Sequence, residues 1–363
     1  MKITFIIPYS KDPVGAYKVV YEYANRLSAK GHYVNLVHIR HFYDEVKSTT
    51  NYYQRLRRKI GDLLSFVTPH NITWHNIDRR VNLIYALNDN EKYIPDADIV
   101  VAPTFTIAES AIKYSSKKGK KFYLIQMYYY NGSDNTRLKI TLRQPYKKIA
   151  INKWIYENEI KSGTSPNDII YIPNGVDQRL YRVIEPIYDR PPQVAMLYSI
   201  AEFKGGADGV KALELTKNKF PQLQAVLFGT TKKPEWLPQW IKYIQNPPLS
   251  MLVEQIYNQS RIYLCPSKAE AWHLPPAEAM ACGCAVVSTD IPGVRDYAIH
   301  NVTALLSAVG RPELLSDNLI KLLKHDDLRI ELAKSGNKKI KEFTWEESTD
   351  KMEQYFSINI LNH

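Results

Sequence analysis

The chain has 363 residues, of which 45% are hydrophobic, so a packed protein of about two domains is expected rather than a disordered chain. No apolar run approaches the ~18–20 residues of a membrane span, and three cysteines give no disulfide framework, which favours a reducing cytoplasm. Lysine and arginine outnumber aspartate and glutamate 48 to 37, and the net charge of +11 favours anionic lipids or phosphorylated small molecules as partners, since no nucleic-acid-binding module is recognisable.

The first half of the chain alternates apolar strands with helical stretches. Residues 3–8 form a short apolar stretch that leads to Pro8 and lacks a cleavage site, so it is interpreted as a buried first strand and not as a signal peptide. A helix over 16–29 and a strand over 33–37 follow, which is the opening of a βαβ unit. Further strands are predicted at 98–102, 122–126 and 169–172.

The same alternation starts again after a proline-rich stretch at 185–192. Strands are predicted at 194–198, 225–228, 262–265 and 285–288, and helices at 207–217, 275–281 and 346–358. Two consecutive α/β units, each with a doubly wound parallel sheet, follow from this order. We predict one domain over 1–178, joined by the C-terminal helix at 346–363, and a second domain over 179–345.

Residues 43–95 form an unusually long connection. Within it, apolar side chains recur at helical spacing over 52–67, while Arg55, Arg57 and Arg58 lie mostly off that stripe, so a basic amphipathic helix is predicted. This helix either packs on its own domain with a solvated basic face or attaches to a membrane surface or an anionic acceptor. Each basic residue near an anionic leaflet could add ~1 kcal/mol to such attachment, which would place the protein at the inner face of the membrane.

Parallel α/β sheets bind ligands at the carboxyl ends of their strands, and two glycine-containing loops fall there. Gly15 follows the first strand, either as a simple turn or as a place where the backbone approaches a phosphate or sugar; GxGxxG is missing, so no dinucleotide is predicted. Lys204 and Gly205 precede the helix at 207–217, where an ammonium group and helix amides suit a diphosphate. A surface lysine in a turn is the alternative.

The segment from Glu270 to Gly283 carries the strongest chemical signal in the chain. Two prolines at 275–276 suit the first turn of a helix, so the amides of His273, Leu274 and Ala277 are expected to be available to an anion or a sugar oxygen. Glu270 and Glu278 would flank that helix start, where a carboxylate can accept two hydrogen bonds from the vicinal diol of a ribose or hexose.

The spacing of these two glutamates, with the following alanine and nearby glycine, resembles the signature of the retaining glycosyltransferase family 4. Further similarity extends over almost the whole chain, at 31–34, 171–177, 204–205, 266–267, 289–294 and 305–306. Residues 122–126 are most similar to rhamnosyltransferase-like members, which is a weaker match.

The resemblance implies the GT-B fold, with two Rossmann-like domains facing a central cleft. The C-terminal domain would bind a UDP-, GDP- or dTDP-sugar, with Glu278 on the ribose, Glu270 on the donor sugar and Lys204 on the diphosphate. Gly15 would bring backbone of the N-terminal domain against the diphosphate, and either Tyr243 or Ile244 would lie near the base. The N-terminal domain would bind the acceptor.

Three departures from the family pattern bear on the site. Ser199 replaces the arginine usually found five residues before the lysine, so one phosphate-binding charge is missing or supplied elsewhere. His273 stands where a glycine is usual and either tightens the sugar pocket or points away from it. Gln126 and Tyr128 occupy the acceptor-side position where many members carry a histidine, so no acid or base can be named there.

The sequence Asp96-Ala97-Asp98 fits the DxD pattern of metal-dependent glycosyltransferases. It precedes the strand residues 99–102, however, and therefore lies at the amino end, away from the expected ligand site. No metal site and no cofactor are predicted, and the nucleotide sugar acts as co-substrate.

The function predicted from this resemblance is retaining sugar transfer to a glycan or lipid-linked glycan in cell-surface polysaccharide synthesis, with Lys204 and Glu270 as the catalytic residues. The alternative is a catalytically weak GT-B subunit that binds a nucleotide sugar beside an active partner, motivated by Ser199 and the missing histidine. A sugar-nucleotide epimerase or a phosphorylase would keep the fold, but residues 174–177 together with the glutamate spacing argue against both.

Overall fold

The computed structural model describes residues 1–41, 72–128 and 136–361. The chain forms two compact units. Unit 1 comprises Met1–Ile151, Ile155–Ile172 and Thr349–His363, and unit 2 comprises Asn152–Trp154 and Pro173–Ser348. The basic amphipathic helix predicted over 52–67 lies outside the described residues.

Unit 1 is built on a parallel sheet of seven described strands. They are β1 Lys2–Pro8, β2 Tyr33–His41, β3 Asn82–Asn88, β4 Ile99–Ala102, β5 Lys120–Ile125, β6 Lys147–Ala150 and β7 Ile169–Tyr171. Their order in the sheet is β3-β2-β1-β4-β5-β6-β7, so the order reverses between β1 and β4. The helices are α1 Gly15–Ala29, α2 Phe105–Ala111, α3 Thr136–Leu142 and α4 Lys153–Lys161.

Two strands of unit 1 were not predicted from the sequence. β6 begins with two lysines, which are unfavourable in a buried strand, yet Lys148 is almost completely buried because its ammonium group pairs with Glu159. β3 has only one buried residue, Ala86, so its apolar pattern is weak. Short strands with polar or half-exposed residues are recognised only once their neighbours in the sheet are known.

Unit 2 contains a second parallel sheet of six strands. They are β8 Gln193–Leu197, β9 Gln224–Gly229, β10 Ile241–Gln245, β11 Ile262–Cys265, β12 Ala285–Thr289 and β13 Ala304–Ser307. The sheet order is β10-β9-β8-β11-β12-β13, with the reversal between β8 and β11. The predicted fold class, two successive α/β units with parallel sheets, is confirmed.

Helices cover both faces of this second sheet. They are α5 Gly206–Lys219, α6 Leu274–Ala281, α7 Pro312–Lys324 and α8 Asp326–Ile340. A helical turn at Leu249–Met251 continues as a π-helix over Leu252–Tyr257. Leu213, Leu227, Leu264 and Leu319 belong to the apolar core that the helices and sheet enclose, and all four are fully buried.

The last helix, α9 Trp345–Leu361, begins in unit 2 and ends in unit 1. At its start, Ser348 donates a hydrogen bond of 2.7 Å to the carbonyl oxygen of Pro173. Farther along, the ring of Phe356 packs edge-on against Phe122, with centroids 4.7 Å apart, and Glu353 pairs with Lys30. Among the described residues, no helix combines the length and apolar character needed to cross a bilayer.

Candidate functional site

The candidate site of unit 2 lies where β8 and β11 pair directly. The strand order of the sheet reverses between these two neighbours. The loop after β8 leads to α5, and the loop after β11 leads to α6. In a doubly wound sheet, loops at such a reversal separate and leave a crevice at the carboxyl ends of the strands. The loop after β8 carries Ser199 and Lys204, and the loop after β11 carries Glu270 and His273.

The two loops touch through Gly205. This residue has a φ of 63°, and a Cβ atom on it would lie 2.0 Å from the carbonyl oxygen of Pro266 in the other loop. Only glycine allows that approach, because it has no Cβ and adopts a left-handed conformation without strain. Gly205 therefore fixes the neighbouring Lys204 beside the loop that follows β11.

Lys204 and Glu270 form an ion pair at this junction. The Lys204 Nζ atom lies 2.7 Å from Glu270 Oε1, and the lysine and glutamate side chains are 23% and 12% exposed. His273 Nε2 lies 3.4 Å from the same carboxylate oxygen. Three residues predicted from the sequence are thus in one cluster, and the lysine side chain is partly exposed.

His273 is buried in this cluster as a neutral imidazole. Its Nδ1 atom lies 3.1 Å from Cys265 Sγ, and its carbonyl oxygen accepts a 2.6 Å hydrogen bond from the Tyr297 hydroxyl. Burial lowers the pKa of His273 to about 4, because the charged form loses its hydration; Glu270 opposes this shift and Lys204 adds to it. The sequence left open whether His273 points toward the expected sugar pocket or away from it; in the structure its imidazole faces Glu270.

Glu278 lies on α6 and is also buried, with 5% of its surface exposed. The Tyr257 hydroxyl approaches Glu278 Oε2 at 3.4 Å. Tyr257 ends the π-helix, and burial together with the Glu278 charge holds its pKa well above the usual range, so it stays a hydrogen-bond donor. π-Helical turns often occur at functional sites, but nothing in the sequence signalled this one.

The buried guanidinium of Arg190 anchors the end of the π-helix. It donates to the carbonyl oxygens of Ser260 at 3.1 Å and Cys282 at 2.7 Å, and more weakly to that of Tyr257 at 3.4 Å. Because Cys282 directly follows α6, Arg190 links the segment that carries Tyr257 to the helix that carries Glu278. The three cysteines of the chain are free thiols in buried positions.

The start of α6 differs in one respect from the expectation. The amide of His273 was predicted to be available to a ligand, but it donates a 2.9 Å hydrogen bond to the carbonyl oxygen of Gly293. A Cβ atom on Gly293 would lie 2.6 Å from the Glu270 carbonyl oxygen, so this contact too requires glycine. Leu274 is the first residue of α6 and is 8% exposed.

Tyr243 and Ile244 lie within β10, at the edge of the sheet. The Tyr243 hydroxyl donates to the carbonyl oxygen of Thr231 at 2.7 Å, and its ring contacts Tyr198 edge-on, so it holds the segment after β9 against the end of β8. The Ser199 hydroxyl accepts a 3.2 Å hydrogen bond from the amide of Ala201. Ser199 thus shapes the loop, and it supplies no charge in place of an arginine.

Three further predicted residues belong to unit 1. Gly15 is the exposed first residue of α1, and a Cβ atom on it would meet no atom within 4 Å. Gln126 donates a 3.0 Å hydrogen bond to the carbonyl oxygen of Ala16, and the Tyr128 hydroxyl donates to Glu159 at 3.1 Å. Both acceptor-side candidates are therefore held by neighbours in their own unit.

The DxD sequence has structural partners at the amino edge of the first sheet. Asp98 accepts a 2.6 Å hydrogen bond from the amide of Lys2, and Asp96 pairs with Lys118 at 2.7 Å. Within 1–41, 72–128 and 136–361, no group of three histidine, cysteine, aspartate or glutamate side chains is arranged to hold a metal ion.

Because the pKa of His273 is low in the folded protein, the free energy of unfolding should depend on pH. The imidazole takes up a proton near pH 6.5 in the unfolded chain but only near pH 4 in the folded protein. The stability associated with the neutral imidazole is therefore complete above pH 6.5 and is lost as the pH falls toward 4, by about 3 kcal/mol in total. Urea unfolding across this range should show a flatter pH dependence for His273→Asn than for the wild type.

A matched control is His325→Asn, because His325 is exposed and precedes α8. This variant should keep the pH dependence of the wild type. If His273→Asn kept it as well, the buried neutral imidazole would not be the source of the acid sensitivity.

Known proteins resemble this chain in sequence and in fold. Residues 177–339 match the model of the family described as glycosyl transferases group 1. A D-inositol 3-phosphate glycosyltransferase of Corynebacterium jeikeium is 28% identical over 179 residues, which are 49% of this chain and 39% of that protein. A phosphatidyl-myo-inositol mannosyltransferase of Mycobacterium tuberculosis is 25% identical over 193 residues, 49% of this chain and 51% of that protein. The chain thus spans about half or less of these relatives.

The solved structures establish the fold over the whole chain. HepE of Anabaena, determined in complex with UDP and glucose, superposes with a TM-score of 0.73, covering 98% of this chain and 99% of that chain at 16% identity. At that identity the likeness shows the fold alone. The similarity to the glycosyl transferases group 1 thus covers residues 177–339, and the two parallel sheets have the GT-B fold.

Proposed function

We propose that the protein is a retaining glycosyltransferase that uses a nucleotide-diphosphate sugar and acts on a glycan or lipid-linked glycan in cell-surface polysaccharide synthesis. The observation that carries the proposal is the Lys204–Glu270 ion pair at the strand-order reversal of unit 2. The names of the relatives, which are glycosyltransferases and a mannosyltransferase, support the reaction class. HepE, solved with UDP and glucose, supports a nucleotide-sugar donor.

Lys204 is assigned to the diphosphate. Its side chain is partly exposed next to the start of α5, where helix amides and the helix dipole favour negative charge. Before the donor binds, Glu270 neutralises this cation. Diphosphate oxygens would replace Glu270 as the partner of Lys204, and the Glu270 carboxylate would then accept hydrogen bonds from hydroxyl groups of the donor sugar.

Glu278 is assigned to the nucleotide ribose. The side chain is buried, and Tyr257 approaches one of its oxygens, which orients the carboxylate. A carboxylate accepts two hydrogen bonds from a vicinal diol, as a ribose offers. A deoxyribose would offer one hydroxyl group only, so UDP and GDP should bind more tightly than dTDP.

In the proposed reaction the bond between the anomeric carbon and the diphosphate oxygen breaks, and an acceptor hydroxyl attacks from the same face. The departing diphosphate takes the proton of that hydroxyl, and the sugar passes through an oxocarbenium-like transition state. Lys204 stabilises the charge that develops on the leaving group. We propose that this lysine serves in place of a divalent cation, so that chelation with EDTA leaves turnover unchanged.

Nucleotide binding tests the two assignments separately. Lys204→Ala should weaken UDP binding roughly 10- to 100-fold, because a charge-assisted contact to the diphosphate is lost, and should leave uridine binding unchanged. Glu278→Gln should weaken UDP and uridine by the same factor of about 10, because both carry the ribose. Isothermal titration calorimetry measures all four affinities.

Lys211→Ala is the matched control for the lysine, since Lys211 is exposed on the same helix α5. It should bind UDP as the wild type does. If Lys204→Ala left UDP affinity intact, or weakened uridine equally, the diphosphate assignment would be wrong.

Sugar transfer itself is tested by turnover. We expect release of UDP or GDP from one nucleotide sugar when mixed glycan acceptors are supplied, with a fall of about 100-fold in kcat for Lys204→Ala. Retention would appear in the product as an anomeric configuration equal to that of the donor. Tight nucleotide-sugar binding without turnover would instead support the alternative, a GT-B binding subunit that requires a partner.

A lipid-linked acceptor would bring the protein to a membrane surface on the cytoplasmic side. We propose that the basic residues Arg55, Arg57 and Arg58 provide that contact. In the sequence they lie among apolar residues at helical spacing, and their positive charge favours anionic lipid headgroups. Sedimentation with anionic vesicles should remove the protein from solution, and substitution of all three arginines by alanine should abolish this. Equal sedimentation of both proteins would contradict the proposal.

A further inference from the structure

Unit 1 contains a cavity of about 720 Å³ between α3 and the carboxyl end of α4. Its wall includes Tyr128, Leu142, Tyr146, Lys148, Glu159 and Asp168. The volume falls within the range of roughly 300–1,000 Å³ that small-molecule sites occupy. The cavity lies wholly in unit 1 and shares no residue with the cluster around Lys204 and Glu270.

The two buried charges in the cavity wall pair with each other. Lys148 and Glu159 form a buried ion pair at 2.7 Å, with side chains 5% and 3% exposed. Lys148 also donates to Thr164 Oγ1 at 2.7 Å, and the Tyr128 hydroxyl donates to the second oxygen of Glu159 at 3.1 Å. Burying such a pair brings little net stability, because desolvation offsets the attraction. The network therefore supplies hydrogen-bonding groups to the cavity without adding net charge.

The other charges near the cavity divide into paired and unpaired groups. Asp168 pairs with Lys147 at 2.7 Å, and Arg137 pairs with Glu109. Lys139 and Arg143, by contrast, are exposed, and neither side chain makes an ion pair or hydrogen bond with any residue that the structure describes. Among the residues that the structure describes, Lys139 and Arg143 thus leave two unpaired positive charges beside the cavity.

Lys139 and Arg143 lie one helical turn apart. The Arg143 amide donates to the Lys139 carbonyl oxygen at 3.3 Å, which continues the turn beyond the last residue of α3, and both residues line the cavity. An ammonium and a guanidinium at this spacing suit the several oxygens of one phosphate group.

We propose that this cavity is a binding site for a phosphorylated sugar or a ligand of similar chemistry. The phosphate is held by Lys139 and Arg143, and the hydroxyl-rich body lies against Tyr128, Thr164 and the Lys148–Glu159 pair. The inference concerns a second site and stands on unit 1 alone, so it does not depend on the donor chemistry proposed for unit 2.

The test is calorimetric titration of the full chain with glucose 1-phosphate, glucose and inorganic phosphate, in the presence of saturating UDP. The same titrations are repeated with the Lys204→Ala variant, in which the unit 2 site is weakened. Binding that persists in this variant is assigned to unit 1. Glucose 1-phosphate should bind more tightly than either glucose or phosphate. The double variant Lys139→Ala/Arg143→Ala should weaken it at least about 10-fold, since two charge-assisted contacts are lost.

Lys113→Ala/Lys117→Ala is the matched control, because both lysines are exposed in unit 1 and the change in net charge is the same. It should bind glucose 1-phosphate as the wild type does. Tyr128→Phe, which removes one hydroxyl from the wall and keeps the ring, should weaken binding several-fold. Unchanged circular dichroism and an unchanged thermal unfolding midpoint verify that each variant is folded.

Three results would overturn the inference. The first is no heat signal on titration with glucose 1-phosphate. The second is an affinity for glucose equal to that for glucose 1-phosphate. The third is a loss of glucose 1-phosphate affinity in Lys113→Ala/Lys117→Ala equal to that in Lys139→Ala/Arg143→Ala. Binding to phosphatidylcholine vesicles is measured with and without phosphatidylglycerol, which tests whether the phosphate recognised by the two cations belongs to a lipid headgroup. Vesicle binding that the double variant loses, without any response to glucose 1-phosphate, would assign the two cations to a membrane surface and reject the sugar phosphate site. If the wild type did not bind UDP, that result would contradict the proposed function of unit 2 and would leave the inference about unit 1 unaffected.

Discussion

The direct pairing of β8 with β11 is the constraint on which the candidate site depends. β9 and β10 come between these strands along the chain but lie on the far side of β8 in the sheet. Because both strands are parallel, their carboxyl ends meet at one edge, and the loops that follow them are brought side by side. Lys204 and Glu270 can form an ion pair only because of this topology. The close approach of Gly205 to Pro266 then sets the separation of the two loops.

Around this junction, burial decides the chemical state of the side chains. His273 is neutral because its environment excludes the water that would hydrate an imidazolium. Tyr257 keeps its proton for the same reason and approaches Glu278 as a donor. Arg190 in turn holds the end of the π-helix to the end of α6 through backbone carbonyl oxygens. Glu270 and Glu278 are therefore each held by polar neighbours in a largely buried environment, where electrostatic interactions are stronger than in water.

Sequence reasoning succeeded where one local pattern was sufficient. Apolar runs placed β1, β8, β11 and β12 to within one or two residues, and the prolines at 275–276 marked the start of α6. It failed where the state of a residue depends on a partner in another element. Lys148 lies in a strand because Glu159 neutralises it, and the amide of His273 is occupied by Gly293, which follows a different strand. Tyr257 gave no signal, since a π-helical turn has no distinctive residue pattern.

The sequence by itself determined the class of the protein: two parallel α/β units, and a glutamate pair with a lysine–glycine pair that match a glycosyltransferase pattern. These features are local, and each is encoded within a few neighbouring residues. Only the tertiary structure decided which side chains meet. The Lys204–Glu270 contact joins loops that follow two different strands, and the neutral His273 and the polar cavity beside Lys148 depend on packing between several elements. Their geometry and charge state depend on strand order and burial, and neither property is contained in any single segment.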